Sequence, residues 1–299
     1  MIKFRYLTTI APCLIVGYLL TAPAVALPSP ATTDPIDVDP KFPPTTIELT
    51  ITSGGKQMNG HMYLANGSGP HPTVILLHGF PGNEKNLDVA QALRRAGFNA
   101  LYFHHRGAWG SEGEFGARNN TEDAAAAADY VRANATEQRS DPDKISFFGH
   151  SLGGFTALYS GAIDQAIRCT VAVTPSNLTL SIKSRIEAGF DVGASAVQRN
   201  VPGLNSYSAA SLFREVAADY AFFDLTNVMG RYNGRPLMII SGDKDRAVPL
   251  AVQLPLAAAA KKAGAKPFIH LIMDADHVFS WNRIAFTENA VNWMTRNCR

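Results

Sequence analysis

The stretch Lys144-Ile145-Ser146-Phe147-Phe148-Gly149-His150-Ser151-Leu152-Gly153-Gly154-Phe155 decides the fold. Its apolar start reads as a buried strand, its centre is a Gly-x-Ser-x-Gly pentapeptide, and an alanine-bearing helical segment follows at once. A serine at so sharp a strand-to-helix turn sits in strained backbone, and small neighbours let the flanking elements close up. Gly149 and Gly153 supply that room. The turn presents the Ser151 hydroxyl at the carboxyl edge of a sheet, with the Leu152 backbone N–H aimed at the same space. Glycine and serine also make ordinary turns, so the reading depends on what surrounds the pentapeptide.

Outward from it, short buried strands alternate with helices, the rhythm of a parallel sheet covered on both faces. On the N-terminal side the strands are Thr73–Leu77 and Phe98–His104, with helices over about Asn86–Ala96 and Thr121–Asn134. On the C-terminal side they are Ala166–Thr174, Pro236–Gly242 and Pro267–Met273. Helices follow over Leu250–Ala263, with Pro255 marking a start or a kink, and over about Arg283–Asn297. Ahead of all these, Thr46–Thr52 alternates apolar and polar residues and pairs with Met58–Leu64 as an antiparallel hairpin. Residues 176–234 break the rhythm: about sixty residues lie between adjacent strands, a length usually functional rather than bare loop. The apolar set there, Phe190, Leu204, Tyr207, Leu212, Phe213, Tyr220, Phe222, Phe223 and Met229, predicts a small helical cap insertion shaping a pocket for the acyl or leaving group, with no one of them singled out as a substrate contact.

The ends and the composition set the surroundings. Lys3 and Arg5 precede an apolar run ending at Ala24-Val25-Ala26, so residues 1–26 read as a signal peptide, with secretion or periplasmic export expected. Pro12 interrupts the run and it is short for a span, so no stable membrane anchor is expected after signal removal. Residues 27–45 read as an extended lead-in to one domain over 46–299. With 27 basic and 25 acidic residues there is no field to attract nucleic acid. Cys169, opening a strand, and Cys298, ending the last helix, are candidates to pair in an oxidising compartment. Glycan sequons begin at Asn66, Asn119, Asn134 and Asn177.

An uncharged serine needs a base and a third group to orient that base. His277, in Asp274-Ala275-Asp276-His277 after a late strand, is the base candidate. For the acid, Asp243, Asp245, Asp274 and Asp276 all lie on carboxyl-edge loops. Asp245 has the best placement to turn back toward the histidine loop, with Asp243 next.

Together these features resemble the α/β-hydrolase fold. The likeness rests on His78-Gly79-Phe80-Pro81-Gly82, the Ser151 pentapeptide, Gly242-Asp243-Lys244-Asp245-Arg246-Ala247-Val248-Pro249 and Asp276-His277. It implies a Ser151–His277–Asp245 triad acting on an acyl carbonyl without metal or organic cofactor. It also implies an oxyanion hole, and since Pro81 has no N–H, the donors are the Phe80 and Leu152 backbone amides. His104 stands where relatives commonly carry an acidic residue, leaving open whether His104 and His105 bind something. Three functions are consistent with this set. They are an esterase acting on small-molecule esters, a serine peptidase of the prolyl-oligopeptidase or aminopeptidase type, and a non-catalytic binding module on the same scaffold.

Overall fold

The computed structural model describes residues 29–35 and 37–299, so residues 1–26, read above as a signal peptide, lie outside the described residues. Eight strands form one sheet: β1 (Thr45–Ser53), β2 (Lys56–Leu64), β3 (His71–Leu77), β4 (Asn99–Phe103), β5 (Ser140–His150), β6 (Cys169–Val173), β7 (Leu237–Gly242) and β8 (Phe268–Met273). Their order is β1-β2-β4-β3-β5-β6-β7-β8, with β2 antiparallel to both neighbours and every other pairing parallel. The inner strands β4, β6 and β7 are buried along their whole length, as continuous apolar runs in a parallel sheet require. β1 instead alternates, because only one of its faces meets the core.

Helices cover both faces. On one, Val74, Leu76, Phe148, Val171 and Ile240 pack against α1 (Leu87–Arg95) and α9 (Arg283–Asn297). On the other lie α2 (Ala117–Ala133), α3 (Leu152–Ile163) and α8 (Leu250–Ala263). Between β6 and β7 come α4 (Leu178–Glu187), α5 (Ser195–Gln198), α6 (Ala209–Ala218), α7 (Tyr220–Phe223) and two short 3-10 turns.

Some details depart from the sequence reading. α2 begins at Ala117 rather than Thr121, because Glu215 of α6 accepts the backbone N–H groups of Ala117 (3.0 Å) and Arg118 (2.8 Å). That carboxylate satisfies donors for which α2 has neither a side-chain cap nor an acidic first turn. Pro255 lies inside a continuous α8 on its exposed side, where water reaches the carbonyl left without its N–H partner. Asn177 is fully buried and caps α4 through its own side chain, so that sequon is no glycan acceptor. Cys169 and Cys298 are joined by a disulfide across a Cα–Cα distance of 5.5 Å. Among the described residues no helix is long and apolar enough to cross a membrane.

Candidate active site

β5 has β3 on one side and β6 on the other, so the direction of strand succession reverses beside it. Ligands of open α/β sheets bind at such a carboxyl-edge crevice. Ser151 stands there with φ 59° and ψ −118°, a left-handed-side conformation that costs a non-glycine residue about 1–3 kcal/mol and survives only where the surroundings over-determine it. They do. Its N–H donates to Val173 O at 2.9 Å and its carbonyl accepts from Phe155 N at 3.1 Å. A Cβ at Gly149 would fall on the Gly153 carbonyl, and one at Gly153 on the Leu77 carbonyl, so strand and helix touch backbone to backbone.

The carboxylate and the histidine meet as the loop argument expects. Asp245 Oδ2 accepts from His277 Nδ1 at 2.7 Å, while its Oδ1 accepts the Ala247 and Val248 N–H groups at 2.8 Å each. Both carboxylate oxygens are therefore aimed, and with Nδ1–H donating, the lone pair of His277 lies on Nε2. The competing acids point elsewhere. Asp243 and Asp274 flank Lys244 at 3.1 and 3.7 Å, and Asp276 accepts from Ser280.

Ser151, Leu152, Phe80 and His277 share the wall of a cavity of about 410 Å³. The segment between β6 and β7 supplies most of its apolar lining through Leu178, Ile182, Phe190, Leu212 and Phe213. A second cavity of about 180 Å³, bounded by Phe80, Glu84, His150 and Val278, lies against the same serine and histidine. No hydrogen bond joins Ser151 to His277 directly, and such contacts are often loose until substrate closes the site.

Three further histidines cluster together. His78 is buried between the Gly79 carbonyl (2.8 Å) and the His105 N–H (3.2 Å), and burial followed by the neighbouring His105 charge holds it well below its ordinary pKa. His105 lies buried 3.4 Å from Asp123, and His104 contacts Tyr102 Oη at 3.3 Å. Among the described residues no three His, Cys, Asp or Glu side chains converge as a metal site.

Two residues escaped the sequence reading. His150, the variable position of the pentapeptide, donates Nε2–H to the carbonyl of His277 at 2.8 Å. Burial, then the adjacent His277, lowers its pKa to about 3, so it stays neutral and a donor. Nothing in the sequence distinguishes it from any other residue at that position. Arg283 opens α9, where a cation opposes the helix dipole, and that misplacement was a legible sign of other partners.

A mostly parallel eight-stranded sheet, with a serine elbow at its carboxyl edge and an aspartate–histidine pair on the loops after β7 and β8, defines an α/β-hydrolase. The chain belongs to the prolyl oligopeptidase family, whose pattern matches residues 86–299. It is 34% identical over 107 residues to an uncharacterized 31.7 kDa protein of Escherichia coli, a match covering 34% of this chain and 36% of that one. The chain thus spans about a third of that relative's length. Among solved structures, Est1E from Butyrivibrio proteoclasticus superposes with a TM-score of 0.63 at 19% identity, covering 84% of this chain and 98% of that one. A Pyrococcus furiosus esterase gives 0.63 at 18%, covering 89% and 99%.

Proposed function

We propose that the protein is a secreted serine hydrolase that cleaves carboxylic esters through Ser151, His277 and Asp245. Ser151 Oγ attacks the acyl carbonyl while His277 Nε2 takes its proton, and Asp245 holds the imidazolium that forms. The oxyanion is received by the N–H groups of Phe80 and Leu152, each worth about 10²–10³ in rate. His277 then protonates the leaving alkoxide, and water resolves the acyl-enzyme along the same path. The observation that carries the reading is His277, oriented by Asp245, sharing one largely apolar cavity with Ser151.

An ester is favoured over a peptide with a free N-terminus because no carboxylate lines the cavity of about 410 Å³ that Ser151 and Phe80 share to receive an ammonium. Three of the five acids of the β6–β7 segment are engaged elsewhere, Glu215 on α2, Asp219 on Arg118 and Asp224 on Asn177, and neither Glu187 nor Asp191 lines that cavity. The disulfide supports an oxidising destination. The test compares p-nitrophenyl acyl esters with aminoacyl and X-Pro amides, alongside labelling by a fluorophosphonate. Ser151→Ala should abolish labelling and lower turnover about 10⁵- to 10⁶-fold in a folded protein. Retained turnover would remove Ser151 from the mechanism, and faster amide than ester cleavage would make the protein a peptidase.

A further inference from the structure

The proposed mechanism needs two loops in register: the one after β3, which offers the Phe80 N–H, and the one after β8, which offers His277. Both border the cavity of about 180 Å³ beside Ser151, and one side chain touches both. Arg283 donates from Nη1 to Val278 O at 3.0 Å, the carbonyl next to the base. From Nη2 it donates to Glu84 Oε1 (3.1 Å) and Asn86 Oδ1 (3.0 Å), both on the stretch that follows Phe80. Asp88, in the first turn of α1, takes Nε–H at 2.6 Å and Nη2–H at 2.7 Å. Glu84 also accepts the Asn86 N–H at 2.7 Å, which ties that stretch to itself.

The arrangement is costly for the helix that carries it. Arg283 sits at the positive end of α9, so helix stability gives no reason for a cation there. Its planar fork can reach two loops from one point, which a lysine ammonium cannot do. The base loop is consequently gripped at two successive carbonyls, His277 by His150 and Val278 by Arg283, but only the second grip extends to the Phe80 loop.

We propose, resting on the triad reading above, that Arg283 is a positioning residue that holds His277 and the Phe80 amide at a fixed separation, so that one tetrahedral centre can meet both. A displacement of about 1 Å between such groups costs on the order of 10²-fold in rate.

The experiment measures kcat and KM for p-nitrophenyl butyrate in wild type, Arg283→Met and Arg283→Lys, each per active site titrated with a fluorophosphonate, with thermal melts alongside. The titration counts only folded sites, so loss of protein is separated from loss of rate. Arg283→Met should lose roughly 10- to 100-fold in kcat with KM within about threefold. Added guanidinium at concentrations far below denaturing should restore some of that loss. Arg283→Lys, which keeps the charge and can still satisfy Asp88, should retain an intermediate kcat and provides the reading if the methionine variant does not fold. A kcat per titrated site within twofold of wild type in either variant overturns the proposal. So does a loss that guanidinium does not relieve and that falls on KM. Wild-type protein that neither labels at Ser151 nor turns over the ester would instead fail the triad reading, a result the wild-type lane alone reveals.

Discussion

The elbow and the β6–β7 segment face each other across one cavity and are built by opposite means. Around Ser151 the contacts are backbone on backbone: Gly149 against Gly153, Gly153 against Leu77, and the Ser151 N–H on Val173 O. Any side chain added there meets a carbonyl. The segment is docked largely by side chains instead. Glu215 caps α2 and accepts from Tyr207 Oη at 2.5 Å, while Arg118 pairs with Asp219 at 2.7 Å and lies 3.7 Å over the Phe222 ring. Main-chain contacts are fewer, with Trp109 N–H on Gly203 O and Asn205 N–H on Gly107 O. The elbow is thus held by groups that cannot be exchanged one at a time, and the segment by groups that can.

That contrast can be broken most forcefully on the body side. Asp245→Asn leaves the shape of the loop but offers His277 the wrong hydrogen-bond partner, and kcat should fall about 10⁴-fold with KM little changed. A small effect would mean that the acid acts from another loop. Next comes Glu215→Ala, which orphans the Ala117 and Arg118 N–H groups and the Tyr207 hydroxyl. It should cost about 1–3 kcal/mol in urea unfolding and raise KM more than it lowers kcat. An equal loss in kcat would show that segment and elbow are not separable.

The smallest effect is a pH slope. His150 titrates at about 3 in the folded protein, held down first by burial, against about 6.5 unfolded. Between those values the unfolded chain binds more protons, so stability is full above about pH 6.5 and declines as pH falls. By pH 5.5 the loss from this residue should be about 1.4 kcal/mol, with buried His78 acting in the same direction. Asp88 and Asp123, whose pKa values lie below the usual carboxylate range despite burial because of Arg283 and His105, keep their contribution until more acid conditions. Unfolding free energies at pH 7 and 5.5 for wild type and His150→Gln check it: the variant's slope should be flatter.

What could be read from the sequence follows the same division. All eight strands are visible as apolar or alternating runs, because a strand's burial is written in its own residues. Ser151, Asp245 and His277 are visible because each lies in a short motif next to a strand end. The capping role of Glu215 was unreadable, since its partner is a helix terminus about a hundred residues away, and with it went the true start of α2. Which of Asp243, Asp245, Asp274 and Asp276 meets His277 needed coordinates, because Lys244 and Ser280 draw the other three aside.

The bond between Cys169 and Cys298 closes a covalent ring across a sequence separation of 129. The whole β6–β7 segment, Asp245 and His277 lie within that ring, and Ser151 lies just outside it. A protease that nicks an exposed turn of the segment therefore cannot detach Ser151 from His277 and Asp245: the two pieces stay one molecule until the disulfide is reduced. A chain cut between β6 and β7 thus keeps Ser151, Asp245 and His277 in one covalent molecule.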